Sequence, residues 1–218
     1  MTHSPQKILF LPGASGNAQF WCPVAEALET TIAAHHIGWP GFGDTPANPN
    51  VTCLEHLAAL AITQIDRPTA LVAQSMGGVV AVHIALERPD LVTHLVLAVT
   101  SGGLNLPALG AMDWRAAFES DNPTLPRWFL DDRADLSARL HELRLPVLLL
   151  WGAVDPISPI AVGQRLAQLI PDARLEVFPK AGHDLGHTHA KTVAKLIDEH
   201  LGLDDVGRFQ SSTLCRTS

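Results

Sequence analysis

A chain of 218 residues is long enough to bury a large core, and its length favours a single domain. Hydrophobic residues make up 47% of the chain and charged residues 17%, which is typical of a well-packed globular protein and excludes a disordered one. The formal net charge of −7, without a cluster of lysines or arginines, argues against a nucleic-acid partner.

The first residues run directly into a strand-like segment and lack the pattern of a signal peptide. No apolar run approaches about 18 residues, so we expect no membrane partner. The three cysteines, Cys22, Cys53 and Cys215, are scattered without metal-binding or redox spacing, so we expect no metal site. Their small, odd number favours a cytoplasmic location.

Six short apolar runs predict β-strands. The runs are continuous rather than alternating, which is typical of parallel strands that helices cover on both faces. The predicted strands are residues 8–11, 32–37, 70–74, 95–100, 147–151 and 174–178.

Helical patterns lie between these strands. The alternation of strand and helix predicts right-handed crossovers and a doubly wound α/β fold with a parallel sheet of about six strands. Thr52 and Glu55 have the spacing of a capping box, and Ser158 followed by Pro159 has the pattern of an N-cap with proline at the first helical position. The predicted helices are residues 23–29, 54–65, 76–87, 159–170 and 189–201.

Two segments interrupt the alternation. Residues 102–145 contain no clear strand and carry aromatic side chains among acidic residues and prolines. An insertion of this length in a compact domain is usually functional, and we predict a short helical lid. Residues 202–218 are polar and non-periodic, and we predict a flexible tail after a domain that covers residues 1–201.

A serine directly follows the third predicted strand. Ser75 lies between that strand and a helix and is flanked by the small residues Ala73, Gly77 and Gly78. This is the pattern of a nucleophile elbow, with alanine in place of the first glycine. The small residues let strand and helix approach closely, and the helix start favours developing negative charge.

A serine nucleophile needs a base, an acid that orients the base, and donors for the oxyanion. In an open parallel sheet these groups gather beyond the carboxyl ends of the strands. Asp155 follows the fifth predicted strand and His183 follows the sixth. The glycine-rich segment 12–16 follows the first strand, and the N–H groups of Ala14 and Met76 are candidate oxyanion donors.

From about residue 7 to residue 201 the chain resembles the α/β-hydrolase superfamily. Five segments carry this resemblance in order: Leu11-Pro-Gly-Ala14, Gly38-Trp-Pro-Gly-Phe-Gly-Asp44, Gln74-Ser-Met-Gly-Gly78, Leu150-Trp-Gly-Ala-Val-Asp155 and Ala181-Gly-His183. The resemblance implies a triad of Ser75, Asp155 and His183 and an oxyanion hole at Ala14 and Met76.

The chain departs from the common pattern of this superfamily in three places. Pro12 stands where many members carry histidine, and Ala73 replaces the first glycine of the elbow. The first strand resembles the superfamily's third, so the usual antiparallel strands are missing. This implies a minimal, all-parallel, six-stranded sheet with an exposed edge that could form a homodimer.

Other residues compete for the same roles. Asp113 is the main rival acid, because some members place the acid after the preceding strand. His187 and His189 lie close to His183 in sequence, and we assign them to the start of the following helix and its solvated face. Candidates for a substrate pocket are Phe20, Trp39, Trp114 and Trp128; simple core or lid packing explains each of them equally well.

The predicted activity is cofactor-free hydrolysis of a small ester or related acyl compound through an acyl-enzyme. The same machinery also serves amide, lactone, thioester or carbon–carbon bond cleavage, or peracid formation, and the elbow does not distinguish these reactions. An alternative of another class is a non-catalytic scaffold that binds a ligand or partner.

Overall fold

The computed structural model describes residues 4–106, 109–133 and 135–202. Its centre is a six-stranded sheet in the order β2-β1-β3-β4-β5-β6, in which all neighbouring strands are parallel. The predicted fold class and all six predicted strands are therefore confirmed. The strands are β1 (Lys7–Leu11), β2 (Ala33–His36), β3 (Thr69–Gln74), β4 (Val92–Ala98), β5 (Val147–Gly152) and β6 (Ala173–Phe178).

Helices connect the strands and cover both faces of the sheet. The predicted helix over residues 76–87 has the observed bounds, whereas the first helix is only four residues long. The α-helices are α1 (Cys22–Ala25), α2 (Leu54–Ile62), α3 (Met76–Glu87), α4 (Arg115–Asp121), α5 (Arg127–Asp131), α6 (Ile160–Leu169), α7 (Leu185–Thr188) and α8 (Ala190–His200).

Both predicted helix caps are wrong. Helix α2 begins after Cys53, so Thr52 lies one residue too early to cap it, and the hydroxyl of Thr52 lies 3.4 Å from Nδ1 of His56. Helix α6 begins after Pro159, which occupies the N-cap position itself. The hydroxyl of Ser158 instead donates to the carbonyl of Thr100 at 3.1 Å.

The core consists of one large apolar cluster on each face of the sheet. Strands β1, β3, β4 and β5 are buried along their whole length. The prediction of burial on both faces is wrong for β2 and β6, which are the edge strands and are partly exposed. A homodimer through an exposed edge stays a prediction.

The insertion carries α4, α5 and a short 3₁₀-helix (Leu140–Glu142). Its second half is part of the core, because Leu136, Leu140, Leu143 and Leu145 are buried in one of the two clusters. Apart from Gly202, the predicted tail over residues 202–218 lies outside the described residues. In the part of the chain that the structure describes, no helix combines the length and apolar character needed to cross a bilayer.

Candidate active site

Three predicted site residues follow three strands of the sheet and meet at its carboxyl edge. Ser75 directly follows β3, Asp155 follows β5, and His183 follows β6. Because all strands are parallel, the loops after β3, β5 and β6 converge on one end of the molecule.

The turn at Ser75 is tight and strained. The φ of Ser75 is 51° and its ψ is −122°. Residues other than glycine rarely adopt this backbone conformation, which costs about 1–3 kcal/mol. A Cβ on Gly77 would lie 2.4 Å from the carbonyl oxygen of Pro12, and one on Gly78 would lie 2.5 Å from Oγ1 of Thr100. The two glycines therefore let α3 start directly against the ends of β1 and β4.

One imidazole joins the other two polar side chains. Nε2 of His183 lies 3.0 Å from Oγ of Ser75, and Nδ1 lies 2.7 Å from Oδ2 of Asp155. The side chain of Asp155 is fully buried, and its Oδ1 accepts backbone N–H groups from Ile157 at 2.8 Å and Ser158 at 3.2 Å. In the tautomer whose Nδ1–H donates to Asp155, Nε2 carries the lone pair that faces the hydroxyl of Ser75.

The competing residues lie elsewhere. Asp113 is exposed, and its carboxylate accepts the backbone N–H of Arg115 at 3.2 Å. The ring of His187 packs edge-on against Phe20, and that of His189 packs against Phe178. The structure thus brings Asp155 and not Asp113 to the imidazole that contacts Ser75.

Ala14 and Met76 line the same cavity as Ser75. Met76 is the first residue of α3, where N–H groups have no acceptor within the helix. Among the described residues, neither the N–H of Ala14 nor that of Met76 has an acceptor. Both N–H groups are therefore available to an anion that forms at Ser75.

The loop that carries Ala14 is fixed by two indoles. Nε1 of Trp21 donates to the carbonyl of Leu11 at 3.1 Å, and Nε1 of Trp39 donates to the carbonyl of Pro12 at 2.8 Å. Trp39 is fully buried and does not line the cavity, so its predicted place in the pocket is wrong. It holds the main chain that precedes Ala14.

Of the other pocket candidates, Phe20 and Trp114 line the cavity and Trp128 does not. Trp128 packs edge-on against Phe42 instead, within the apolar cluster that anchors the insertion. The sequence could not distinguish Trp39 or Trp128 from a pocket residue, since local sequence does not show whether a tryptophan near the site packs into the core or lines the cavity.

Thr100 was missed by the sequence-based reasoning. Its buried hydroxyl donates to the carbonyl of Ser75 at 2.6 Å and accepts the N–H of Gly102 at 3.0 Å. Its own carbonyl accepts the hydroxyl of Ser158, whose N–H donates to Asp155. Thr100 thus bridges the elbow and the loop of the acid. The available signal was a threonine just past the strand that neighbours the elbow strand.

The cavity at Ser75 has a volume of about 550 Å³. Much of its wall is apolar and comes from α2, α3 and the insertion: Leu54, Val79, Leu104, Leu106, Phe118 and Phe129. Residues of the insertion also add polar groups, which include Arg115 and Arg133. No group of three or more metal-ligating side chains occurs within the described ranges.

Comparison with known proteins decides the family. A model of the alpha/beta hydrolase family matches residues 8–139, and a second model, of the alpha/beta hydrolase fold, matches residues 125–190. The chain belongs to the alpha/beta hydrolase family. The first match alone covers more than half of this alpha/beta hydrolase, so the resemblance seen in the sequence is confirmed.

Curated relatives of this hydrolase are named esterases. The chain is 28% identical to a pimeloyl-(acyl-carrier protein) methyl ester esterase of Chromobacterium violaceum, over 89% of this chain and 93% of that protein. It is 27% identical to the protein of the same name from Neisseria meningitidis serogroup A, over 99% of this chain and 86% of that protein.

Solved structures share the fold. A hydrolase from Pseudomonas aeruginosa superposes with a TM-score of 0.75 at 22% identity and covers 91% of this chain and 90% of its own. An esterase from Thermogutta terrifontis superposes with a TM-score of 0.73 at 22% identity, over 92% and 90% of the two chains. With the family and the named relatives, the protein is an alpha/beta hydrolase enzyme, as the sequence predicted.

Proposed function

We propose that the protein hydrolyses carboxylic esters, with Ser75 as nucleophile, His183 as general base and Asp155 as the residue that orients it. The observation that carries this proposal is the pair of contacts on one imidazole, 3.0 Å from Nε2 to Ser75 and 2.7 Å from Nδ1 to Asp155. Because Asp155 accepts from Nδ1–H, Nε2 keeps its lone pair directed at the serine hydroxyl.

Acylation follows from this geometry. Oγ of Ser75 attacks the ester carbonyl while its proton passes to Nε2 of His183, and the charge on Asp155 stabilises the imidazolium that forms. The N–H groups of Ala14 and Met76 receive the negative charge that develops on the carbonyl oxygen. The tetrahedral intermediate collapses when His183 returns its proton to the alkoxide, which leaves as the alcohol.

Deacylation repeats the sequence with water. His183 accepts a proton from water, the hydroxide attacks the acyl carbon, and the same two N–H groups hold the second oxyanion. The proton then returns from Nε2 to Oγ of Ser75, and the carboxylic acid is released. Apart from the substrate and water, these steps use only groups of the chain.

The substrate class that fits the cavity is an ester with a hydrocarbon acyl chain. Leu54, Val79, Leu104 and Phe129 supply an apolar wall next to Ser75. The relatives that are named methyl ester esterases support a small alcohol as leaving group. We further propose that residues 102–145 act as the lid, since α4 and the segment before it form one side of the cavity.

A fluorophosphonate probe tests the nucleophile. The native protein should bind one equivalent covalently, and Ser75→Ala should not react because the activated hydroxyl is gone. The matched control is Ser101→Ala, which removes another serine of the same cavity and should still be labelled. Intact-protein mass spectrometry gives the stoichiometry.

Steady-state kinetics then test the reaction. Methyl and p-nitrophenyl esters of increasing acyl length should be cleaved, and Ser75→Ala should lower kcat by roughly 10⁴-fold or more. Lactones, amides and thioesters in the same panel show whether the protein also cleaves these bonds. Absence of labelling in native protein, while a known serine hydrolase reacts, would favour the non-catalytic scaffold.

A further inference from the structure

Two arginines of the insertion line the cavity that contains Ser75. Arg115 is the first residue of α4, and Arg133 follows the end of α5. Both contribute to the cavity wall. The proposed ester hydrolysis assigns no role to either side chain.

The two side chains are held next to each other by one acceptor. Nε of Arg115 donates to the carbonyl of Leu130 at 3.0 Å, and Nη1 of Arg133 donates to the same carbonyl at 2.7 Å. Nη1 of Arg133 also donates to the carbonyl of Asp132 at 2.7 Å. These acceptors are neutral main-chain groups, so the bonds fix both guanidinium groups without cancelling their charge.

Five other arginines of the described chain make ion pairs with carboxylates: Arg67 with Asp66, Arg88 with Asp90, Arg127 with Glu119, Arg139 with Glu142, and Arg174 with Glu176. Another, Arg165, donates to the amide oxygen of Gln168. The five ion pairs are typical of solvated surface charges. The arrangement at Leu130 is different, because two like charges are packed together along a cavity.

The charge around the two arginines is mixed, because Asp132, Asp135 and Asp184 also line this cavity. Burial lowers the pKa of Arg115, and the charge of Arg133 lowers it further. The carboxylates of Asp113 and Asp132 act in the opposite direction, but the pKa stays below its usual value. The guanidinium carbon of Arg115 lies 5.0 Å from the centre of the Trp114 ring, which is a cation–π contact.

We infer that Arg115 and Arg133 form a subsite for an anionic group, a carboxylate or a phosphate, which the substrate carries at the end opposite to its ester. Guanidinium forks match the planar oxygens of both groups and bind them through charge-assisted hydrogen bonds. The apolar wall of Leu104, Phe118 and Phe129 would contact the hydrocarbon between the two ends. This inference rests on the proposed ester hydrolysis.

A pair of substrates with the same ester tests the subsite. One is the monomethyl ester of a linear dicarboxylic acid, whose far end is a carboxylate, and the other is the dimethyl ester of the same acid. Native protein should show a kcat/KM about tenfold higher for the half-ester, which is the size expected from charge-assisted hydrogen bonds. A methyl ester that ends in a phosphate separates the two possible anions.

Variants assign the preference to residues. We expect the ratio of kcat/KM between half-ester and diester to fall toward one in two variants. They are the single variant Arg133→Gln and the double variant that combines Arg115→Gln and Arg133→Gln. The control is Arg139→Gln, an exposed arginine of the same insertion that does not line the cavity, and it should keep the native ratio. Thermal unfolding of each variant shows whether it is folded.

Binding measured without turnover separates this inference from the proposed function. Calorimetry on Ser75→Ala should show about tenfold tighter binding of the half-ester or the phosphate than of the diester, and Arg133→Gln in that background should remove the difference. Equal affinity for charged and neutral esters would overturn the subsite even if esters are hydrolysed. Tight, arginine-dependent binding without any hydrolysis would leave the subsite standing and overturn the esterase proposal.

Discussion

At the scale of single residues, Thr100 links two parts of the site that are far apart in sequence. Its hydroxyl donates to the carbonyl of Ser75 at 2.6 Å, and its carbonyl accepts the hydroxyl of Ser158 at 3.1 Å. Ser158 in turn donates its N–H to Asp155. The elbow and the carboxylate are therefore held by one chain of short polar contacts.

Removing the Thr100 hydroxyl should change catalysis more than binding. We expect Thr100→Val to lower kcat roughly tenfold with little change in KM, because Ser75 and Asp155 lose a common support and small misplacements at a reaction centre slow the chemistry. Thr100→Ser, which keeps the hydroxyl, should restore most of kcat. Steady-state kinetics on a p-nitrophenyl ester provide the measurement.

Thr93→Val is the matched control for this substitution. Thr93 is a buried threonine of β4, and its hydroxyl donates to the carbonyl of Thr69 at 3.3 Å, at the opposite end of that strand. It should lose stability while kcat stays near the native value. If Thr100→Val also lost only stability, Thr100 would be a structural residue without a positioning role.

At the scale of elements, the close approach of α3 to the end of β1 shapes the elbow. The Cβ position of Gly77 lies 2.4 Å from the carbonyl oxygen of Pro12 and 2.8 Å from that of Leu11. Both neighbours are main-chain atoms of a buried strand end, so they cannot rotate away as a side chain would.

We expect Gly77→Ala to destabilise the protein by about 1–3 kcal/mol, since the added methyl group overpacks a rigid contact. Gly182→Ala is the control, because no atom lies within 4 Å of its Cβ position. The free energy of unfolding in urea should be unchanged or slightly higher in that control. Equal stability of both variants would show that α3 can move away from β1.

Sequence patterns predicted the elements better than their ends and surroundings. The six strands and the residues at Ser75, Asp155 and His183 could be found because apolar runs mark strands and parallel strands present their loops at one edge. The predicted caps failed because the hydroxyl of Thr52 contacts His56 and that of Ser158 donates to the carbonyl of Thr100. Such competition is decided by tertiary contacts, which local spacing does not contain.

The edge strands show the same limit. β2 and β6 are less apolar than most central strands, with His35 and His36 in β2 and Arg174 and Glu176 in β6, and each has only one neighbour in the sheet and is partly exposed. Strand order follows from how the crossovers pack, and periodicity within a strand carries no information on it. The threonine after β4 was visible in the sequence, but its bridge to Ser75 could not be predicted because it depends on β4 lying next to β3.

At the scale of the whole molecule, two histidines meet at the end of the sheet opposite to the candidate active site. His94 on β4 and His200 at the end of α8 pack edge to face with their ring centres 5.3 Å apart. Burial, the neighbouring His94 and Arg174 lower the pKa of His200 to about 4. Burial also lowers the pKa of His94, which Asp172 partly offsets.

This histidine pair should make the fold sensitive to mild acid. An unfolded histidine takes up a proton near pH 6.5, whereas the folded His200 stays neutral down to about pH 4. The unfolded state thus binds more protons in this window, and stability should fall as the pH drops from 6.5 toward 4. Urea unfolding at several pH values measures the slope.

His200→Gln should flatten the slope, because glutamine does not titrate. His141→Gln removes an exposed histidine on the 3₁₀-helix and should keep the native slope. Carboxylates add their own pH dependence to all three proteins, so the difference between variants is the quantity that counts. Identical slopes in the native protein and His200→Gln would exclude the buried histidine as the cause.

Residues of the insertion serve either the core or the cavity wall, and some serve both. Leu136 and Leu140 are buried in the core, Arg115 lines the cavity, and Leu104 and Phe129 do both. A substitution at Leu104 or Phe129 would therefore alter the cavity and loosen the core together, whereas one at Arg115 leaves the apolar cluster intact. The insertion thus leaves few positions at which specificity can evolve without a cost in foldability.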